Sequence, residues 1–169
     1  VDNSKQPNSR WYSGSGIYRD VNLWTGKGVY ISHDKLRITT LSVNDDMAVL
    51  EVCAQLKNII GHGLEAECLI EIKKDGQKAA SNTQRVVFRS EQMQTVRVQI
   101  PIEQPKKWSP AQPALYECHI TTRFDDEICD EAVSNFGIRV LALDPVHGLQ
   151  INGETVKLRG TCIHHDNGV

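Results

Sequence analysis

The feature that most restricts this chain is a two-residue alternation of apolar and polar side chains. In residues 47–57, MAVLEVCAQLK, Ala48, Leu50, Val52, Ala54 and Leu56 share one face, while Met47, Val49, Glu51, Cys53, Gln55 and Lys57 share the other. Successive side chains of a strand point to opposite faces, so only a strand separates the two sets in this way. In 64–73, Ala66, Cys68, Ile70 and Ile72 oppose Glu65, Glu67, Glu71 and Lys73. In 95–100, Val96, Val98 and Ile100 oppose Arg97 and Gln99. In 115–124, Tyr116, Cys118, Ile120 and Phe124 oppose Glu117, His119 and Arg123. Further strands are predicted at 35–43, 79–88 and 132–142. Turn residues fall between them: Asn44-Asp45-Asp46, Gly61-His62-Gly63 and the hairpin signal Asp75-Gly76. About seven strands, each with one polar face and none replaced by a helical stripe, predict an all-β sandwich of two antiparallel sheets.

Residues 101–113, PIEQPKKWSPAQP, hold four of the six prolines. Proline has no ladder donor, so this stretch is predicted to be a surface crossover rather than a central strand. Composition shifts again at Asp144-Pro145. Beyond it, Leu149-Gln150-Ile151, Asn152-Gly153 and Thr155–Ile163 predict a tight hairpin that enters a new strand, Val156 to Ile163. Domain boundaries are expected near 28 and near 143.

Several function classes are disfavoured. The net charge is −2 and Lys and Arg are dispersed, so no basic stripe suits nucleic acid. No apolar run approaches the ~18 residues of a membrane span. The opening VDNSKQPNSRW shows no leader pattern and reads as interior sequence, which sets no compartment. No phosphate-binding loop, nucleophile elbow, dinucleotide fingerprint or zinc-protease motif occurs, and no cofactor is expected. The five cysteines, Cys53, Cys68, Cys118, Cys129 and Cys162, form no CxxC pair, and no metal site is expected. Cys53 and Cys118 fall where a sandwich can carry an inter-sheet disulfide, but the alternation turns Cys53 outward and Cys118 inward, which favours free thiols.

Three stretches resemble one family when taken together. SGSGIYRDVNLW (13–24) resembles the end of the N-terminal sugar-binding jelly roll of family 2 glycoside hydrolases. KKWSPAQPALYECHI (106–120) resembles a segment of the immunoglobulin-like sandwich that follows it. FGIRVLALDPVHGLQINGETVKLRGTCIHHDNG (136–168) resembles the exit from that sandwich into the first strand of the catalytic barrel. The resemblance implies a jelly-roll tail over 1–28, an immunoglobulin-like antiparallel β-sandwich over 29–142, and the start of a (β/α)8 barrel over 143–169. It implies retaining hydrolysis of β-glycosides, most closely β-galactosides, by two carboxylates about 5–5.5 Å apart. Both lie far along a barrel of ~250 residues, so the segment itself is expected to carry no catalytic residue and to be inactive alone. Its implied partners are the β-glycoside carbohydrate and the neighbouring jelly roll and barrel.

Candidate site residues cluster late in the chain. His164 follows the strand expected to open the barrel, and barrel active sites form at the C-terminal ends of strands. Under the resemblance, His164, Asp166 and, less directly, His165 contact the sugar, since sugar hydroxyls need fixed donors and acceptors. Arg19 and Arg139 are expected to form interdomain ion pairs. Trp108 is expected to anchor the proline-rich loop rather than stack on a sugar. His33, His62, His119 and His147 are read as isolated surface residues. Trp11, Tyr12 and Trp24 are expected to form an exposed apolar patch, and homo-oligomerisation of the parent is left open. The rival from another class is an independent immunoglobulin-like binding or adhesion module. A carbohydrate-binding module ranks last, because only 6% of residues are aromatic.

Overall fold

The structure is a computed structural model that describes residues 17, 19–89 and 92–162. Residues 25–156 form one compact unit, and the flanking residues group separately. The unit begins with β1 (Val29–Ile31), a single 3-10 turn (His33–Lys35) and β2 (Arg37–Val43). Then follow β3 (Met47–Asn58), β4 (Leu64–Lys74), β5 (Gln77–Phe88) and β6 (Met93–Glu103). After the crossover come β7 (Tyr116–Phe124) and β8 (Glu127–Phe136). A small sheet of β9 (Leu141–Asp144), β10 (Gly148–Ile151) and β11 (Glu154–Thr155) closes the series.

All ladders are antiparallel. In the first sheet β3 is central: β6 pairs along one edge, and β1 and β2 pair in succession along the other. β1 and β2 are thus two halves of one strand, broken by the 3-10 turn. The second sheet runs β5-β4-β7-β8. This is the expected immunoglobulin-like sandwich, with β5 at the edge of the β4–β7–β8 sheet. The inward faces match the alternation. Ala48, Leu50, Val52, Ala54 and Leu56 are fully buried, opposite Cys68, Ile70, Ile72, Cys118 and Ile120.

Two expectations shift. Residues 101–103 remain in β6, with Pro101 opposite Val49. β6 pairs only with β3, so the donor that proline lacks faces the sheet edge, where nothing needs it. β8 starts at Glu127 rather than 132, because Asp125-Asp126 is a two-residue hairpin turn with φ of 51° and 61°. Asparagine and aspartate tolerate this left-handed region, but a pair of aspartates lacks the glycine that usually marks such a turn. Asp75-Gly76 forms the expected hairpin, with φ of 52° and 78°.

Polar contacts close the sandwich. Thr122 is buried on the inward face of β7, and its hydroxyl donates to the Val29 carbonyl at 2.7 Å. Asp130 of β8 accepts the Ile31 amide at 2.8 Å. Together they tie β1 to the second sheet. Tyr116 opens β7 two residues before Cys118, is 3% exposed, and accepts the Lys106 amide on its phenolic oxygen at 2.9 Å. Its ring stacks on Phe136 at 5.8 Å. This tyrosine corner pins the crossover to the strand it feeds.

All five cysteines are free. Cys53 faces outward and is half-buried, whereas Cys118 is buried, as the register requires. Burial pushes the Cys68 and Cys118 thiols up to about 12, so both stay protonated and inert.

Replacing Tyr116 by Phe keeps the ring and removes only the acceptor for Lys106. A loss of about 1–3 kcal/mol is expected in urea unfolding, the cost of leaving a partly buried donor unpaired.

Candidate functional site

Several side-chain and backbone contacts meet where the crossover approaches the exit from β8. Pro105, Pro110 and Pro113 keep the crossover out of the ladders, so it must be held otherwise. Trp108 does this. Its amide donates to the Ile138 carbonyl at 2.8 Å, and Lys107 forms an isolated bridge with Ile138, which is fully buried. Gly137 lets the two segments touch. A Cβ built on Gly137 would lie 2.7 Å from the Trp108 Cβ and Cγ. The anchoring role expected of Trp108 is what its contacts describe.

Arg139 makes a contact that the sequence did not suggest. Its guanidinium stacks over the Trp108 ring, 4.6 Å from the centroid. The reason is local: Gly137 and Arg139 flank Ile138, so the indole lies against the one and under the other. The ion pair expected of Arg139 is with a barrel residue, outside the described residues.

Asn152 joins the small sheet to this cluster. Its side-chain amide donates to the Trp108 carbonyl at 2.9 Å and its side-chain oxygen accepts the Val140 amide at 3.0 Å. Its own backbone amide donates to the Val140 carbonyl at 2.9 Å. Asn152-Gly153 has φ of 53° and 85°, the two-residue hairpin turn that its sequence predicts. An aspartate would make the same turn but has no donor for Trp108.

The strand expected from Val156 to Ile163 does not form over its described part. β11 ends at Thr155, and residues 156–162 have no regular structure. The Val156 amide still donates to the Leu149 carbonyl of β10 at 2.8 Å, but no described ladder continues over 157–162, and an extended segment without a ladder partner does not hold. His164, His165 and Asp166 lie outside the described residues, as do Trp11, Tyr12, Gly14, Gly16 and Tyr18. Arg19 is exposed, and Trp24 is 65% exposed.

Two histidines read as isolated have carboxylate partners. His119 lies 2.8 Å from Glu117, and His147 lies 2.9 Å from Asp144. The outer face of the second sheet carries a groove of about 530 Å³ lined by Glu65, Glu67, Arg85, Arg123, Asp125 and Asp126. Its size suits a small ligand, but its charges are solvated and Glu65 is paired with Arg85. The buried polar side chains among the described residues are Asn58 and Thr122, and the fold uses both. Asn58 donates to the His62 carbonyl and accepts the Ile60 amide, shaping the β3–β4 loop. No described group of three His, Cys, Asp or Glu residues is placed to hold a metal.

The described chain therefore defines a β-sandwich with a built exit, rather than a pocket with convergent buried polar groups. The family model described as "Glycosyl hydrolases family 2" matches residues 29–139, and the chain belongs to that family. It is 32% identical to "Beta-galactosidase BoGH2A" of Bacteroides ovatus, over 99% of this chain and 20% of that protein. It is 30% identical to a "Putative beta-glucuronidase" of Formosa agariphila, over 99% of this chain and 16% of that protein. A glycosyl hydrolase family 2 member from Bacteroides cellulosilyticus has a matching structure, with a TM-score of 0.78 and 28% identity, over 83% of this chain and 19% of that one. The chain thus spans about a fifth or less of the length of these relatives.

Replacing Gly137 by Ala should displace Trp108 and lower stability by about 1–3 kcal/mol, read by urea unfolding with a shift in tryptophan emission. A second outcome concerns pH. The Asp144 carboxylate accepts the His147 and Val146 amides and lies against the His147 ring, which lowers its pKa from the ordinary 3.8. A lowered folded-state pKa means that the β9–β10 turn is fully held above 3.8 and is lost as pH falls through the lower value. An NMR titration of the Asp144 carboxyl with the Val146 and His147 amides should show them changing together, below the pH at which a free aspartate titrates.

Proposed function

We propose that this segment is the non-catalytic immunoglobulin-like domain of a retaining β-glycosidase, most closely a β-galactosidase. It spaces a sugar-binding jelly roll, whose tail is 1–28, from a (β/α)8 barrel that starts within 143–169. The observation that carries this reading is the built exit: Trp108, Gly137, Arg139 and Asn152 fix the direction in which the chain leaves the sandwich. A domain that only presented its own loops has no need of a rigid exit. That the relatives include a β-galactosidase and a putative β-glucuronidase supports β-glycosides as the substrate class.

In this reading, the two carboxylates of retaining hydrolysis belong to the barrel, and the segment alone does not turn over substrate. His164 and Asp166, with His165 beside them, contact sugar hydroxyls at the C-terminal end of the first barrel strand. That strand forms only when its barrel neighbours supply both ladders.

The test is hydrolysis of aryl β-galactosides, β-glucuronides and β-mannosides by this segment and by the gene product extended through its natural C-terminus. Turnover of the β-galactoside by the extended protein alone is expected. Preference for the glucuronide would reassign the substrate. Inactivity of the extended protein on all three would overturn the glycosidase reading in favour of a binding module.

A further inference from the structure

Asn152 and Gly153 form a reactive pair that the fold holds apart. Among the described residues Asn152 is the one asparagine followed by glycine. In such a pair the glycine nitrogen attacks the side-chain carbonyl carbon of the asparagine. Glycine leaves that approach open because it has no Cβ. A nitrogen–carbon bond forms, the glycine N–H proton and the side-chain amino group leave together as ammonia, and a five-membered succinimide remains. One water then opens the ring at either carbonyl, giving aspartate or isoaspartate. The net change is hydrolysis of one amide, with no oxidant, reductant or cofactor.

The turn is open to this reaction on its outer side. Gly153 and Glu154 are exposed, and a Cβ built on Gly153 would meet nothing within 4 Å among the described residues. What stops the reaction is the exit joint. Attack requires the carboxamide to swing over the Gly153 nitrogen. Instead its Nδ2 donates to the Trp108 carbonyl at 2.9 Å, and its Oδ1 accepts the Val140 amide at 3.0 Å. Both ends of the group are thus engaged, and the Asn152 amide is bound to the Val140 carbonyl as well.

Neither product restores the joint. Aspartate puts a carboxylate oxygen where Nδ2 stands, 2.9 Å from the Trp108 carbonyl oxygen, acceptor against acceptor. Isoaspartate adds a methylene to the backbone inside the hairpin that Ile151 and Glu154 close.

We propose that Asn152-Gly153 is a latent deamidation site, shut while the exit joint is closed and converted only when the joint opens. Conversion then keeps the joint from closing again, so a transient opening becomes a permanent change. Every group involved lies within the compact unit 25–156, so the site is independent of which domain follows.

The test follows conversion by peptide mapping and mass spectrometry in the gene product extended through its natural C-terminus. The map separates Asn152-Gly153 from Asn167-Gly168, a second such pair outside the described residues. Conversion at Asn152 should be about tenfold or more slower in the folded protein than in urea, because a reaction of the opened form follows its population. The slowing should be at least as large as the protection of the Asn152 amide from hydrogen exchange, since the same opening frees both. Equal rates in the folded and unfolded protein, or a slowing well below that protection, overturn the proposal. Gly137→Ala, which displaces Trp108, should speed conversion in the folded protein about tenfold. Where that variant does not fold, Arg139→Ala, which removes only the cation over the ring, should speed it about threefold. No acceleration in a folded variant also overturns the proposal. Asn152→Asp supplies one product directly and should speed hydrogen exchange of the Trp108 amide about tenfold. Exchange at the wild-type rate would show that the joint closes regardless, and defeats the switch. None of these readouts uses glycosidase turnover.

Discussion

The sandwich stands on the removal of one face of β3, β4 and β7 from water. Leu50, Val52, Ile70, Ile72 and Ile120 are fully buried, and each such side chain contributes about 1.5–3 kcal/mol relative to exposure. Because the side-chain period in a strand is two, a slip of one residue would turn that whole set to solvent and bring Glu51, Glu67, Glu71 and Glu117 inward. The register of every other strand follows from this. β6 sits where Val96, Val98, Ile100 and Ile102 complete the first sheet, and Pro101 is tolerated between them because the strand is an edge. Thr122 is the polar interruption on β7, and it is accommodated because the Val29 carbonyl is there to accept its hydroxyl.

That inward threonine also shows how the two sheets are joined at one side. β1 belongs to the first sheet by its ladder, yet its backbone is bound by Thr122 and Asp130 from the second. The long crossover between β6 and β7 is pinned at Lys106, whose amide donates to the Tyr116 hydroxyl, and at Trp108, whose amide donates to the Ile138 carbonyl. A loop of this length, rich in proline, has few ladder options, so single side chains that reach backbone groups decide its path.

The same logic explains the exit. Trp108 is the common element: its amide meets Ile138, its ring lies against Gly137 and under Arg139, and its carbonyl meets Asn152. The crossover, the end of β8 and the small sheet are therefore one polar and aromatic joint. Among the described residues of this family 2 glycoside hydrolase segment, that joint is where distant stretches of chain are tied together.

By itself the sequence determined the local geometry. The alternation at 47–57, 64–73, 95–100 and 115–124 specified strands and their inward faces, since the period of a strand is a property of the backbone. Asp75-Gly76 and Asn152-Gly153 specified tight turns, since few residues accept a positive φ. The outward Cys53 and inward Cys118 followed from the same parity. Tertiary structure decided what depends on residues far apart in the chain. That Arg139 stacks on Trp108, that Gly137 is needed by an indole 29 positions earlier, and that Asn152 reaches the Trp108 carbonyl 44 positions away are contacts no local period encodes. The missing strand beyond Thr155 has the same origin: extended residues become a strand only when a neighbour supplies the other half of each hydrogen bond.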